Sequence, residues 1–171
     1  MERRSKLTIG QHSQRQAAPT GRAAAVVEIC PHCGRRGRPV DTRTIKALLN
    51  VTLEVLHPVT YRFCATPDCP NVYFAEDGSH VLGEDQLRVR VHQKHPHDAD
   101  VLVCYCFFHS PGSVRAEIAA HGATDVVERV TALTKVDACA CDIRNPQGSC
   151  CLGNLQRVVK DVKSAEIQQA N

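Results

Sequence analysis

The sequence predicts an α+β fold in which a small β-rich module is followed by a helical module. Short strand-like segments fill residues 59–91, whereas the chain after residue 110 shows helical periodicity and helix-boundary residues. Ten cysteines fall in five close pairs that are spread over both regions. Aromatic residues make up only 4% of the chain and Trp is absent. A large core is therefore not expected, and small modules of this kind usually need a staple such as a bound metal.

Composition divides the chain into segments. Residues 1–22 contain five basic side chains and one acidic one, hence a charge of +4, and the whole chain carries +3, which leaves about −1 for the rest. This distribution does not favour a general nucleic-acid surface, which needs a concentrated basic footprint. The predicted segments are a disordered basic arm at residues 1–25, a first module at 26–91, a His- and Pro-rich linker at 92–100, a second module at 101–165 and a tail at 166–171.

The first module is expected to fold as short strands around one ambiguous segment. Residues 44–56 fit one face of a helix, yet their β-branched stretches also fit a strand. Residues 59–63 and 71–74 are predicted as a strand and its return strand, joined by a turn at residues 66–68. Residues 87–91 alternate apolar and basic side chains, as an edge strand does.

The second module opens with an apolar run, residues 101–108, in which the Cys104–Cys106 motif is predicted to end a short strand. The helix that follows is expected to stop at Gly122, because glycine readily adopts the left-handed conformation that ends helices. Asp125 is predicted to cap the next helix. The three helices are predicted at residues 114–121, at residues 126–136, and from residue 150 or 152 to residue 165.

Cysteine spacing and the start of the chain favour metal thiolates in the cytoplasm over disulfides in a secreted protein. Spacings such as C-x-x-C and C-x-C suit chelation, and residues 1–22 lack the apolar segment of a secretory signal. The longest apolar run has eight residues, far below the roughly 20 that span a bilayer. No membrane span is expected.

Four cysteines predict a zinc site in the first module. Cys30 and Cys33 form a knuckle that is followed by a glycine, and Cys64 and Cys69 lie between two strand-like runs. Two pairs of thiolates on tight turns satisfy the tetrahedral preference of zinc, and a closed four-sulfur site has no open position for substrate. The site is interpreted as structural. The alternatives are a pair of free core cysteines or a redox-active C-x-x-C, and the redox-active motif needs a βαβ context that is absent here.

Six cysteines predict a second metal site in the helical module, and the pattern leaves its members open. The candidates are Cys104, Cys106, Cys139, Cys141, Cys150 and Cys151. Four thiolates meet the requirement of a [2Fe–2S] cluster, whose negative charge the N-termini of the following helices would stabilise. A second zinc ion is the alternative, because an arrangement of thiolates does not by itself choose the metal.

Ordered motifs in both halves carry a family resemblance. C-P-x-C, F-C-x4-C-x-x-V-Y-F, V-C-Y-C-F and N-P-x-G-x-C-C-L-G, over about residues 28–160, resemble the N-terminal domain of CopZ-type copper chaperones, and the second half resembles bacterioferritin-associated ferredoxin-like [2Fe–2S] domains. The resemblance implies zinc on Cys30, Cys33, Cys64 and Cys69. It implies a [2Fe–2S] cluster on Cys104, Cys106, Cys141 and one cysteine of the following pair, for which Cys151 is chosen, with Cys139 as a spare thiol.

The function implied is that of a metallochaperone component, or of a one-electron carrier or metal-ion reductant, in copper or heavy-metal homeostasis. Partners would be metal ions such as copper, a separate copper chaperone or transporter, and, in one compatible arrangement, a second copy in a homodimer. The family's C-terminal copper loop, Met-x-Cys-x-x-Cys, is not found in residues 1–171, so direct Cu(I) transfer by these residues is not expected. The alternative is a zinc-binding regulatory module, or one that contacts nucleic acid, without redox activity.

Overall fold

A computed structural model describes residues 26–169, as an antiparallel sheet followed by a group of helices. The predicted α+β class is confirmed. The arm at residues 1–25 and the last two residues of the predicted tail lie outside the described residues. In the described part the sheet has four strands in sequential order, β1 (Arg38–Val40), β2 (Tyr61–Phe63), β3 (Asn71–Ala75) and β4 (Val81–Gly83).

The central hairpin of the sheet is the one that the sequence predicts. β2 pairs antiparallel with β3, with Tyr61 opposite Ala75 and Phe63 opposite Tyr73. All three aromatic side chains are buried, and they pack with the apolar face of the first helix in one core. Burial of such aromatic side chains supplies most of the stability available to a sheet this small.

The ambiguous segment of the first module folds as a short helix, α1 (Thr42–Leu48), and then as irregular chain with one 3₁₀ turn at Leu53–Val55. The Asp41 side chain caps α1 by accepting a hydrogen bond of 2.7 Å from the Arg43 backbone N–H. Ile45 and Leu48 are buried on its inner face. The helix interpretation therefore holds for the first half of this segment only.

The predicted edge strand at residues 87–91 is wrong. A 3₁₀ turn, Glu84–Gln86, follows β4, and Leu87 forms a single bridge with Leu49 instead of a ladder. The carboxylate of Glu84 accepts the backbone N–H of Val91. This side chain thus satisfies a donor that a neighbouring strand would otherwise use, and the alternating pattern has no strand to pair with.

The predicted helices of the second part are confirmed, with small shifts at their ends. They are α2 (Pro111–His121), α3 (Val126–Lys135), a four-residue helix α4 (Cys141–Arg144) that the sequence did not predict, and α5 (Leu152–Gln169). Gly122 ends α2 in the left-handed conformation, at φ +71°. Leu155, Val158 and Val162 of α5 pack against α2 and α3 in a second core.

The predicted cap of α3 is wrong in detail. Asp125 precedes the helix, but its side chain pairs with Arg129 rather than with a helix N–H. The hydroxyl of Thr124 instead accepts a hydrogen bond of 3.2 Å from the Val126 N–H. The cap is therefore displaced by one residue, and the acidic side chain stabilises the first turn through its ion pair and its charge.

The short strand predicted to end at Cys104–Cys106 is also wrong, because the run 101–108 folds back on itself. Val103 and Cys104 both donate their backbone N–H to the carbonyl of His109, at 2.9 and 3.0 Å, and His109 donates back to Cys104 at 3.2 Å. The turn between them includes Phe108 at φ +59°. The backbone N–H groups of Val103 and Cys104 are therefore used within the turn and not in a strand ladder.

The helical part packs directly on the sheet part. The buried hydroxyl of Tyr73 in β3 donates a hydrogen bond of 2.7 Å to the carbonyl of Pro146. Thr44 of α1 donates to the Asp142 carbonyl at 2.6 Å, and Arg43 forms an ion pair with the Asp142 carboxylate. Residues 141–148 therefore cover one side of the first core, while the division into two modules at residues 92–100 stays a prediction.

Candidate metal centres

The structure brings together the four cysteine side chains of the predicted zinc site. The sulfurs of Cys30, Cys33, Cys64 and Cys69 all lie within 4.8 Å of one another. The Cys30–Cys69 and Cys33–Cys64 sulfur pairs are 3.7 and 3.6 Å apart. Four sulfurs bound tetrahedrally to zinc at about 2.3 Å are separated by about 3.8 Å. The donor set and its spacing therefore fit a closed zinc site.

Two tight turns present these sulfurs. In the knuckle, Gly34 has φ +68° and donates its N–H to the Cys30 carbonyl at 3.0 Å, and Cys30 donates to the Arg35 carbonyl at 2.8 Å. The left-handed conformation at Gly34 lets the chain reverse directly after Cys33. The other pair sits where β2 ends and β3 begins, so the central hairpin fixes it.

Each turn also directs backbone N–H groups at its sulfurs. For Cys33, Cys64 and Cys69, the backbone N–H of the residue two positions further on acts to lower the pKa of the thiol. Donors of this kind stabilise thiolates, which are the form that binds metal. The site thus supplies both the ligands and part of the positive field that offsets their charge.

Burial and hydrogen bonding shift the thiol pKa values in opposite directions. Burial raises the pKa of Cys69 to about 12 and also raises that of Cys64. Burial opposes ionisation of Cys33 as well, but hydrogen bonds from the Thr66 hydroxyl and the Arg35 N–H outweigh it and lower the pKa to about 6. Thiols with a raised pKa are protonated at neutral pH, so metal binding here releases protons.

Two polar side chains beside the sulfurs were missed by reasoning from the sequence. Thr66 Oγ1 lies 3.3 Å from the sulfur of Cys33, and the Asn71 amide lies 3.7 Å from the sulfur of Cys30. Each stands two residues after a cysteine, at Cys64-x-Thr66 and Cys69-x-Asn71. A polar residue at that offset is the signal that could have identified them.

A buried arginine clamps the knuckle to the sheet. Arg62 of β2 is 6% exposed and donates 3.1 Å to the Gly37 carbonyl, just after the knuckle. Its guanidinium also pairs with Glu28, just before the knuckle, at 2.9 Å and with Glu76 at 2.7 Å. Arg62 therefore holds both ends of the loop that carries the first two cysteines.

The second set of cysteines forms two neighbouring sulfur pairs. Cys106 and Cys141 have their sulfurs 3.8 Å apart, and the Ala140 N–H donates to the Cys106 sulfur at 3.3 Å. Cys104 and Cys151 interact through their thiols, which lowers the pKa of Cys104 to about 6 and raises that of Cys151. The Cys106–Cys141 pair has the spacing at which two thiolates bind one metal ion.

The remaining two cysteines of the region differ in position. Cys139 is partly buried and reaches the thiol of Cys141, whereas Cys150 is exposed. Cys151 is 2% exposed and immediately precedes α5, where Asn154 and Leu155 already donate their N–H groups to its carbonyl. The start of α5 thus turns Cys151 inward and Cys150 outward.

Fold and sites together define a class of protein, a cysteine-based metal-binding protein. All ten cysteines lie in the described part of the chain, and none of them forms a disulfide. No helix within residues 26–169 is both long and apolar enough to cross a membrane.

Comparison with known proteins narrows this class. Residues 27–88 match a family of CopZ-type domains described as "Zinc binding domain". The chain is similar to the copper chaperone CopZ of Archaeoglobus fulgidus, with 29% identity over 129 residues, 75% of this chain and 60% of that protein. Its fold resembles the X-ray structure of the N-terminal domain of A. fulgidus CopZ, with a TM-score of 0.62 and 27% identity, covering 76% of this chain and 96% of that domain.

Residues 27–88 therefore form a CopZ-type zinc-binding domain, and the chain is homologous to the N-terminal domain of the archaeal protein. The chain spans about three fifths of the length of the curated relative that it matches. The zinc-binding part of the predicted resemblance is thus confirmed. The likeness of residues 101–165 to a bacterioferritin-associated ferredoxin stays a prediction.

Proposed function

We propose that this protein binds one zinc ion and one [2Fe–2S] cluster and works as a metallochaperone component, handling metal ions by one-electron transfer in copper or heavy-metal homeostasis. Zinc is held by Cys30, Cys33, Cys64 and Cys69. The cluster is held by Cys104, Cys106, Cys141 and Cys151. The single observation that carries the proposal is one group of four sulfurs within 4.8 Å of one another, together with a second group of cysteines arranged as two interacting thiol pairs.

The zinc assignment is supported by the closed geometry of the first site. Its sulfurs lie 3.6 to 3.7 Å apart within each pair, and three of the four cysteines are at most 3% exposed. Zinc without an open coordination position stabilises the fold and does no chemistry on a substrate. Its role here is to fix the β2–β3 hairpin against the knuckle.

The cluster assignment is supported by the paired geometry of the second site. Two thiol pairs, Cys106 with Cys141 and Cys104 with Cys151, match the two irons of a [2Fe–2S] cluster, each of which takes two thiolates. When bound, such a cluster supplies one-electron redox chemistry. The chain contributes the thiolates, the Ala140 N–H directed at Cys106, and the N-terminus of α5 behind Cys151.

A role in copper handling is supported by similarity to an archaeal copper chaperone. The substrate would be a metal ion such as copper, and the partners a separate copper chaperone or a copper transporter. The partly buried Cys106 marks the side of the site nearest to solvent, whereas Cys104 is completely buried. Electron exchange with a metal ion or partner would take place on the Cys106 side.

The decisive experiment is metal analysis of anaerobically purified protein together with its visible spectrum. Two irons, two acid-labile sulfides and one zinc per chain, with thiolate-to-iron absorption, are expected. Two zinc ions in a colourless protein would overturn the cluster assignment. Slow or absent reduction of Cu(II) by the dithionite-reduced protein would overturn the reductant role and leave the metal sites standing.

Single replacements by alanine test the ligand sets. Replacing any proposed cluster ligand should abolish the iron absorption and leave zinc in place, because the two sets share no residue. Replacing Cys139 or Cys150 should leave both metals bound. Loss of the cluster in the Cys150→Ala variant, with its retention in Cys151→Ala, would show that the wrong member of this pair was chosen.

A further inference from the structure

Three successive residues of the predicted linker each contact a different cysteine-bearing loop. The 3₁₀ turn His92–Lys94 lies between the sheet part and the helical part. The His92 backbone N–H donates to the Tyr105 hydroxyl at 2.9 Å, and the Lys94 ammonium donates to the Thr66 carbonyl at 2.8 Å. Gln93 reaches the third loop. The segment is therefore a junction of the two parts rather than a solvated spacer.

The contact of Gln93 leads to the loop that precedes Cys151. Its amide donates a hydrogen bond of 2.8 Å to the side-chain carbonyl of Gln147, which is only 6% exposed. The Gln147 amide group in turn donates to the backbone carbonyls of Cys150 and Ser149, at 2.8 and 3.2 Å. Gln147 thus fixes the backbone directly before Cys151, and Gln93 fixes Gln147.

The contact of Lys94 leads to the zinc site. Thr66 stands two residues after Cys64, and its hydroxyl lies 3.3 Å from the sulfur of Cys33. A metal ion held by the four thiols of this site immobilises the loop on which Thr66 lies. The Thr66 carbonyl, which accepts the hydrogen bond from Lys94, therefore has a fixed position only when the loop that carries Thr66 is fixed.

The loop of Tyr105 and the side chain of Glu84 make the remaining contacts with this segment. Tyr105, between Cys104 and Cys106, donates its hydroxyl to the Arg90 carbonyl at 2.8 Å. Glu84 accepts the Val91 N–H and contacts the His95 ring at 2.6 Å, so one carboxylate holds both ends of the turn. Side-chain contacts therefore hold the turn at both of its ends.

We propose that the 92–94 turn couples the two cysteine sites, so that zinc at the first site holds the loops of Cys104 and Cys151 in place. Gln93, Lys94 and Gln147 act as positioning residues, since none of them touches a metal ligand's sulfur. The proposal rests on zinc occupying the first site, as proposed above, but it does not require that the second site hold a cluster. A hydrogen bond to a buried group contributes enough free energy for such coupling to be measured.

The test follows the exposure of thiols in the full chain, purified with zinc and without iron. Alkylation of the buried Cys104 and Cys151 is measured by mass spectrometry relative to the exposed Cys150. In the wild type, removal of zinc with a chelator is expected to raise the relative rate about tenfold, the factor set by one lost buried hydrogen bond. With zinc bound, Gln93→Ala and Lys94→Met should raise the relative alkylation rate by a similar factor. Removal of zinc from Gln93→Ala should then raise that rate by less than about a further twofold.

Matched variants distinguish loss of the 92–94 contacts from a general destabilisation of the fold. Gln156→Ala removes an exposed glutamine of α5 and should leave the rate unchanged. Lys94→Arg retains a cation that can reach the Thr66 carbonyl and should restore protection. Zinc content and helical circular dichroism verify that each variant remains folded. An equal response to zinc removal in Gln93→Ala and the wild type would overturn the coupling. Absence of iron in the native protein would overturn the cluster assignment and leave the coupling proposal standing.

Discussion

Replacing Gly37 by alanine should destabilise the zinc-binding domain, because the added methyl group has no space in the fold. A Cβ atom on Gly37 would lie 2.5 Å from two atoms of the Phe74 ring and 2.9 Å from the Cβ of Arg62. Real Cβ atoms essentially never approach a neighbour within 3.0 Å, so the Phe74 ring or Arg62 must shift.

Neither neighbour can move freely. The Phe74 ring is 1% exposed and packs in a small core with Cys30, Cys64 and Cys69. Arg62 is held by its two ion pairs and by the Gly37 carbonyl itself. Overpacking of a fixed core costs about 1–3 kcal/mol. A loss of about 2 kcal/mol lowers the melting temperature of a chain of this size by about 4–8 °C.

The assay is thermal unfolding of the zinc-loaded protein, followed by circular dichroism and by zinc release to a coloured chelator. Gly153→Ala is the matched control, because a Cβ there meets nothing within 4 Å and the position is helical. That variant should gain about 0.5–1 kcal/mol through reduced freedom of the unfolded chain. Equal melting temperatures for Gly37→Ala and the wild type would refute the packing argument for the knuckle.

Two further predictions concern the joint between the two parts and the surface charges. Tyr73→Phe removes the buried hydrogen bond to Pro146 and should lower the free energy of unfolding by about 1–2 kcal/mol while zinc stays bound. An unchanged midpoint of urea unfolding would show that this hydrogen bond does not stabilise the contact between the two parts. For Glu117, burial opposes ionisation, but the ion pair with Arg129 outweighs it and lowers the pKa. Because the pKa of Glu117 is lower in the folded than in the unfolded state, the ionised carboxylate stabilises the fold at pH values above its unfolded pKa of 4.5. This stabilisation is lost as the pH falls through the folded-state pKa. Glu117→Gln should thus lower the free energy of unfolding by about 0.5 kcal/mol at pH 7. A plot of its melting temperature against pH should fall less steeply at acid pH than that of the wild type, and parallel plots would contradict the prediction.

The strands and helices that the sequence predicted correctly are those with strong local signals. Alternation and flanking turns located the β2–β3 hairpin, and Gly122 located the end of α2. The errors at residues 87–91 and 101–108 have a different cause. In both, a contact outside the pattern, from the Glu84 carboxylate and the His109 carbonyl, satisfies the backbone groups that a strand would use.

For the metal sites, spacing identified the first group of thiols but not the second. Cys30, Cys33, Cys64 and Cys69 form the only four-cysteine set of the first part of the chain, whereas six cysteines compete later. The geometry that distinguishes Cys151 from Cys150 depends on where α5 begins, which periodicity fixes only within about two residues. The side chains that surround the sulfurs, such as Thr66, come from loops whose shape no local pattern specifies.

The cover that residues 141–148 form over the first core has a consequence for synthesis of the chain. Cys141, where α4 begins, follows the last residue of β3, Ala75, by 66 positions. At about 5–20 residues per second, ribosomes need roughly 3–13 s to produce that stretch. During this interval Tyr73 and its apolar neighbours lack the residues that later cover them. Capture of zinc by the four early cysteines would hold the nascent sheet together until the later residues arrive.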